Sequence, residues 1–190
     1  MEKIFAREIG YSICVSILLA FYGCHKTDYE AAAKAIAKEA KTNLTEKLTV
    51  SLTKGGTIQA IPFCKQNAMT FTNELGLKKG VLLRRISDKP RNPLNVVTDE
   101  ERKIFLEISA NPSKEGEYPL KTVRTEKTVT VYIPIPTAGL CLQCHGEPNL
   151  DIQKDTLEVL NKEYPADLAR GYRVGSLRGL FSVRFTKSIE

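Results

Sequence analysis

The first part of the chain has the hydrophobic spacing of amphipathic helices. Apolar residues recur every four positions among lysines and glutamates between residues 29 and 50, and Asp28 precedes them as an N-cap. This pattern predicts a helix over Tyr29–Val50. Gly55-Gly56 interrupts the pattern, and a second apolar series predicts another helix over Ile58–Leu75.

A strand and a third helix are expected next. Val81–Ser87 is apolar enough for a strand, whereas the two prolines of Lys89–Asn95 predict a loop. Thr98 is the expected cap of a helix that extends to Ser109, because Glu101 follows it by three residues and completes a capping box.

The second half of the chain alternates in the manner of strands. Lys121–Ile133 alternates Val with Thr, and the Gly/Glu/Pro loop before it is the expected hairpin point. Pro134 and Pro136 are expected to end this strand, a polar helix is predicted over Asp151–Leu160, and Leu177–Thr186 is the predicted last strand. Helices followed by antiparallel strands predict an α+β fold.

Composition adds few constraints. The 190 residues include 42% hydrophobic and 26% charged residues, which is ordinary globular composition. The 28 basic residues exceed the 22 acidic ones, but they are dispersed among them, so the net charge of +6 does not indicate nucleic-acid binding. Five Cys are too few for a disulfide scaffold of this length.

The N-terminus has the pattern of an export signal. An uncharged apolar run, Tyr11–Gly23, follows a short charged segment, and it is shorter than the roughly 20 residues that span a bilayer. Gly23-Cys24 resembles a lipobox, which predicts lipidation at Cys24; simple cleavage and an uncleaved anchor are the alternatives. We therefore predict a signal peptide at 1–23, of lipoprotein type, and a single domain over 24–190. The domain would be periplasmic, or membrane-anchored and facing the periplasm.

The segment Cys141-Leu142-Gln143-Cys144-His145 matches the C-x-x-C-H motif of covalent c-type haem attachment. In that chemistry the two thiols add to the vinyl groups of one haem, and the adjacent His becomes the proximal ligand of the iron. Cys141 and Cys144 are therefore the predicted thioether residues, and His145 the predicted iron ligand. Export agrees with this prediction, because bacterial haem attachment takes place outside the cytoplasmic membrane.

Other uses of the cysteine pair remain open. With Cys64, the residues Cys141, Cys144 and His145 would make a complete Cys₃His zinc site. A redox dithiol would need a strand-to-helix junction, whereas this pair is expected in a loop that follows the prolines. A disulfide between the two cysteines would close a small strained ring.

The positions of the remaining Met, His and Cys residues reduce the number of candidates for the second axial ligand. The only methionines, Met1 and Met69, lie upstream of the motif, unlike the Met of an ordinary His/Met cytochrome c. His25 is the only other His and lies beside the expected anchor. Cys64 would be the one free thiol of the exported chain, which favours thiolate ligation, with Met69 or Lys65 as alternatives and a buried structural role as another.

Two further segments carry a resemblance. The runs Arg85–Asn95 and Tyr164–Gly179, together with the motif, resemble those of a bacterial c-type haem domain family long catalogued as a domain of unknown function, over roughly Tyr29 to Thr186. The resemblance implies a PAS-like antiparallel sheet with N-terminal helices and one covalent haem. It also implies a Cys from an upstream helix as the second axial ligand, which by position is Cys64.

Four arginines are candidate partners of the haem propionates, because a guanidinium binds a carboxylate in bidentate fashion. These residues are Arg85, Arg91, Arg173 and Arg178.

The expected function is low-potential electron transfer, since a thiolate stabilises ferric iron and a six-coordinate iron leaves no site for a substrate. The basic surface would meet an acidic redox partner. The alternatives are a haem-based redox or gas (NO or CO) sensor that signals through a separate protein, and a zinc-stabilised Cys₃His binding domain. Catalysis is not expected, and neither is binding to nucleic acid.

Overall fold

The computed structural model describes residues 28–113 and 115–187. The predicted signal peptide, the lipidation site Cys24 and the alternative ligand His25 lie outside this part of the chain. Within it, no helix is both long enough and apolar enough to cross a bilayer.

The described elements form an α+β domain, as predicted. They are, in chain order, α1 Tyr29–Lys78, β1 Leu82–Ile86, α2 Asp99–Ala110, β2 Lys121–Arg124, β3 Thr128–Pro136, α3 Leu142–His145, α4 Lys154–Glu163 and β4 Leu177–Thr186, with short 3₁₀ turns at Pro93–Asn95 and Gly139–Cys141.

Helix α1 folds back on itself at Gly55-Gly56, the break expected from the sequence. Gly56 has φ 63°, a backbone conformation that favours glycine. The Nζ atom of Lys79 lies 2.7 Å from Oε2 of Glu39, and the Nζ atom of Lys47 lies 4.3 Å from the ring centroid of Phe71. The two arms, 29–54 and 57–78, therefore run antiparallel as a helical hairpin.

The predicted helix caps are present. The Oδ1 atom of Asp28 accepts hydrogen bonds from the backbone N–H groups of Glu30 and Ala31 at 3.1 and 3.0 Å. Thr98 and Glu101 form a reciprocal capping box at the start of α2. These side chains fix where each helix begins.

The four strands form an antiparallel sheet in the order β1-β4-β3-β2. The α1 hairpin covers one face of the sheet, and α2 covers the other. The first interface buries Ala33, Ile36, Ala37, Ala40, Leu75, Leu83, Val129, Val131, Phe181 and Val183. The second buries Ile86, Val97, Phe105, Ile108, Tyr132, Leu177 and Leu180. The resemblance to PAS-like domains stays a prediction.

The structure corrects the predicted strand between Lys121 and Ile133. A tight turn around Thr125 divides it into β2 and β3, so the hairpin point lies inside the segment and not in the loop before it. Pro134 does not end the strand, which continues to Pro136. Beyond Tyr132 no described strand pairs with β3 on the β2 side, so the missing proline N–H groups cost the sheet no hydrogen bond.

Two helical segments also differ from the predictions. The polar helix runs over Lys154–Glu163, and the Oδ2 atom of Asp151 instead accepts from the Glu147 N–H at 2.8 Å in the preceding turn. The C-x-x-C-H segment, expected in a loop, forms a short helical turn.

We expect Gly179→Ala to destabilise the domain. A Cβ at this position would lie 2.6 Å from the carbonyl oxygen of Ile86 on the paired strand, and a strand backbone yields little. The expected loss in the free energy of unfolding is about 1–3 kcal/mol, measured by denaturant titration. Gly139→Ala is the control, because its Cβ would meet nothing within 4 Å. Equal stability of the two variants would contradict this packing.

Candidate functional site

A cavity of ≈ 400 Å³ opens where β1 and β3 end and β4 begins, under the α1 hairpin. Much of its wall is apolar. The apolar residues come from both arms of α1, from the strands and from the loop after β3, and they are Leu44, Leu48, Leu52, Ala60, Ile61, Ala68, Met69, Ile86, Ile135, Leu140 and Phe181.

The C-x-x-C-H segment contributes one wall of the cavity. Its short helical turn places Cys141, Cys144 and His145 at positions i, i+3 and i+4, which share one helix face, and all three line the cavity. Gly146 ends the turn, and its N–H donates to the Leu142 carbonyl at 2.9 Å. The N–H of Tyr172 donates to the His145 carbonyl at 3.0 Å, which ties the motif to the segment before β4.

The ring of His145 is held in one tautomer. Its Nδ1 lies 2.8 Å from the carbonyl oxygen of Ala169, which can only accept, so Nδ1 carries the proton. Burial lowers the pKa of His145 well below its usual value, and the positive charges of Arg91 and Arg178 lower it further. The imidazole is therefore neutral, and its Nε2 keeps a free lone pair, as a metal-binding histidine requires.

Cys64 enters the cavity from the second arm of α1. Burial raises the pKa of its thiol, while Arg85 and Arg91 act in the opposite direction. Both alternative ligands on the same arm, Lys65 and Met69, also line the cavity. Lys65 is already paired, since its Nζ lies 3.2 Å from Oε2 of Glu163.

Arg85 and Arg178 bring positive charge to this apolar cavity. Burial lowers the pKa of both guanidinium groups, and for Arg85 the nearby charge of Arg178 adds to the effect. The Nε atoms of both are buried without a hydrogen-bond partner among the described residues. Arg85 forms no salt bridge with a described carboxylate, whereas Arg178 donates to Oγ of Ser87 at 3.1 Å.

Arg91 has a different environment from these two residues. Its Nη2 donates to Oδ2 of Asp167 at 3.1 Å, to the Ala169 carbonyl at 3.4 Å and to the Cys144 carbonyl. The Asp167 side chain is fully buried, and it also accepts from Arg170 at 2.9 Å. Arg91 therefore holds the C-x-x-C-H turn against the Asp167 segment, while its Nε, like those of Arg85 and Arg178, has no hydrogen-bond partner among the described residues.

Arg173 does not belong to the cavity. It lies exposed in the loop before β4, where its backbone N–H donates to Oγ of Ser176 at 3.2 Å, and it is absent from the cavity wall. Its prediction as a propionate partner is corrected accordingly, because the loop directs this segment to the surface.

Asp167 is the residue that the sequence did not reveal. Together with Arg91 it fixes the Ala169 carbonyl, which in turn orients His145. The Oδ1 atom of Asp167 also accepts a hydrogen bond from the Ala169 N–H at 2.9 Å. The sequence feature that could have pointed to Asp167 is its position in the run Tyr164–Gly179, three residues before its partner Arg170.

The zinc alternative finds no support in the geometry. Within residues 28–113 and 115–187, no three His, Cys, Asp or Glu side chains are placed to hold one metal ion. Cys64 and the C-x-x-C-H cysteines instead line a common apolar space.

The wall fits a flat apolar macrocycle that carries two carboxylates. The apolar side chains match the ring, and the guanidinium groups of Arg85 and Arg178, which have no salt bridge to a described carboxylate, match the carboxylates. Cys141 and Cys144 lie on one face of a helical turn, and His145 keeps a free lone pair.

The chain is similar to one protein family and to one solved structure. Residues 23–186 match the model of the Tll0287-like family. The crystal structure of the cyanobacterial heme-protein Tll0287 superposes with a TM-score of 0.61 at 22% sequence identity, covering 86% of this chain and 99% of that one. At this identity the likeness establishes the fold. No curated protein matches the chain. The chain belongs to the Tll0287-like family.

Proposed function

We propose that this protein binds one haem covalently in the cavity and transfers electrons at low potential. One observation carries the proposal: Cys64, Cys141, Cys144 and His145 line a single apolar cavity that also holds two arginines, Arg85 and Arg178, with no salt bridge to a described carboxylate. The similarity to a protein described as a cyanobacterial heme-protein supports the same cofactor.

The residues divide the work of holding the haem. Cys141 and Cys144 would form the two thioether links, and His145 and Cys64 would be the axial ligands. Arg85 and Arg178 would pair with the propionates, and Arg91 positions the motif through the Cys144 carbonyl. When bound, the haem supplies a one-electron iron couple, and the protein tunes it through these contacts.

Two features favour a low potential. A thiolate from Cys64 would donate electron density to the iron and stabilise its ferric form. The neutral His145, whose Nδ1–H is hydrogen-bonded to the Ala169 carbonyl, is a stronger donor than an imidazole without this bond. The buried guanidinium charges act in the opposite direction, and propionates would neutralise them.

The setting of the protein follows from its N-terminus. We infer that it is exported and anchored by lipidated Cys24, with an acidic redox protein as the partner of its +6 surface.

We expect Cys64→Ser to keep the haem but change its electronic structure. The ferric spectrum should lose the thiolate charge-transfer band, and the reduction potential should rise by on the order of 0.1 V, because the anionic donor is gone. Optical redox titration of the protein, expressed with a cytochrome c maturation system, measures both quantities.

Met69→Leu is the matched control, because it changes another side chain of the same arm with little change of volume. It should leave the spectrum and the potential unchanged. The reverse result, an effect of Met69→Leu and none of Cys64→Ser, would assign the ligand to Met69.

A sensor is the second candidate, and the position of Met69 favours it. Met69 lines the cavity on the same arm as Cys64, so one helix offers two iron ligands that could exchange with each other or with a gas. Addition of CO to the reduced protein separates the two functions. A six-coordinate carrier should bind none, whereas ready CO binding would favour the sensor that signals through a separate protein.

A further inference from the structure

The chain enters the domain at the end of the sheet that lies opposite the cavity. We call it the N-terminal end; it consists of the start of α1, the 77–82 connection, the 124–127 turn and Lys187. The ring of Tyr29 lies 5.2 Å from the ring of Phe185, and Arg124 lies 5.6 Å from the Tyr29 ring. The N–H of Lys187 donates to the Lys127 carbonyl at 2.9 Å. Leu82 pairs with Arg184 near the end of β4, so the 77–82 connection lies at this end as well.

This end exposes apolar side chains next to basic ones. Leu77 is 82% exposed and Leu82 is 52% exposed, and only four residues lie between them. The basic side chains of this end are Lys78, Lys79, Arg124, Lys127 and Lys187. Its acidic side chains are Asp28, Glu30, Glu39 and Glu126.

Most of these acidic groups are already engaged within the domain. Asp28 accepts the first helical N–H groups of α1, and Glu30 accepts a hydrogen bond from Oγ1 of Thr122 at 2.6 Å. Glu39 is paired with Lys79 at 2.7 Å. The five basic side chains of this end still outnumber its four acidic ones, and this small net positive charge suits an anionic surface.

The sequence before the domain limits how far this end can lie from a membrane. Asp28 lies four positions after Cys24, and a chain segment of that length spans at most about 14 Å. An anchor at Cys24, or in the apolar run before it, therefore keeps the N-terminal end beside the lipid head groups. The tether also raises the local lipid concentration, so that two leucines suffice for contact.

We propose that the N-terminal end rests on an anionic phospholipid surface, with Leu77 and Leu82 in contact with the acyl boundary and the cavity directed away from the membrane. The ten-residue strand β4 runs from the cavity to this end, a distance of about 33 Å. The redox partner of the protein would then approach from the aqueous side. The inference rests on the anchor proposed above, and it is independent of the haem.

A single-tryptophan experiment tests the orientation, because the chain contains no Trp. The full chains of Leu77→Trp and Leu150→Trp are reconstituted into vesicles of phosphatidylglycerol and phosphatidylethanolamine, with plain or brominated acyl chains. Leu150 is the matched control: it is 76% exposed and lies in the turn after the C-x-x-C-H motif. Vesicle flotation and haem content are measured on the same samples.

We expect bromination to lower the fluorescence of Leu77→Trp about twofold and to leave that of Leu150→Trp unchanged. Quenching at position 150 would reverse the orientation and overturn the proposal. A chain that floats with neither tryptophan quenched would also overturn it and indicate a protein partner at this end, and a chain that does not float would refute it together with the anchor. Quenching at position 77 in a sample without haem would refute the cofactor and leave this proposal standing.

Discussion

Replacement of both Cys141 and Cys144 by serine is expected to remove all covalently bound haem from the protein. The two thiols lie at positions i and i+3 of one helical turn, next to the neutral imidazole of His145. Among the described residues, no other pair of thiols in the cavity has this spacing. Without them the thioether links cannot form. Denaturing electrophoresis with haem staining should show a band for the wild type and none for the double variant.

Cys64→Ser is the matched control for this experiment, since it removes one cavity thiol and leaves the C-x-x-C-H motif intact. Its stained band should equal that of the wild type. A colourless wild type with stoichiometric zinc would instead support the Cys₃His alternative and refute the haem proposal.

Asp167→Asn is expected to lower the free energy of unfolding by about 3 kcal/mol or more. The carboxylate is fully buried between Arg91 and Arg170, whose side chains are 13% and 22% exposed. An amide of the same shape leaves these cations without a counter-charge in a site poor in water. Denaturant titration of wild type and variant measures the loss.

The effect of Asp167→Asn should depend on pH. Burial opposes ionisation of Asp167, but Arg91, Arg170 and the Ala169 N–H outweigh it and hold the pKa of the carboxyl below its usual value. A group with a depressed folded pKa stabilises the fold above its unfolded pKa of about 4 and loses that contribution as the pH falls further. The difference between the two proteins should therefore shrink in acid.

Glu107→Gln is the control for Asp167→Asn. This substitution removes the ion pair between Oε1 of Glu107 and Nζ of Lys121, which are 2.6 Å apart. Unlike the Asp167 pairs, this one joins two largely exposed side chains. Its cost should stay below about 1 kcal/mol. If Asp167→Asn lowers the free energy of unfolding by as little, the Asp167 cluster, which consists of Asp167, Arg91 and Arg170, does not stabilise the C-x-x-C-H turn.

Local sequence signals predicted the elements whose ends depend on neighbouring residues. The Asp28 and Thr98 caps, the Gly55-Gly56 break and the alternating strand Leu177–Thr186 all appear as expected. The sequence did not place the turn around Thr125, because Thr and Lys carry no strong turn preference. It also could not show that Pro134 lies at a free edge, since strand order is not a local property.

The four candidate arginines also show the difference between what the sequence predicts and what packing decides. All four were equivalent as sequence features, because a guanidinium suits a carboxylate wherever it lies. Packing separates them: Arg85 and Arg178 line the cavity without a salt bridge to a described carboxylate, Arg91 is paired with Asp167, and Arg173 lies at the surface.

The sequence by itself determined which reactive side chains lie together at the site: the C-x-x-C-H spacing keeps two thiols and an imidazole within five residues. Only the tertiary structure decided what surrounds them. Cys64 reaches the same cavity from about 80 residues away because the α1 hairpin packs over the sheet end. The Asp167 cluster orients His145 through contacts between three loops. Such long-range contacts depend on how whole elements pack, which no local pattern encodes.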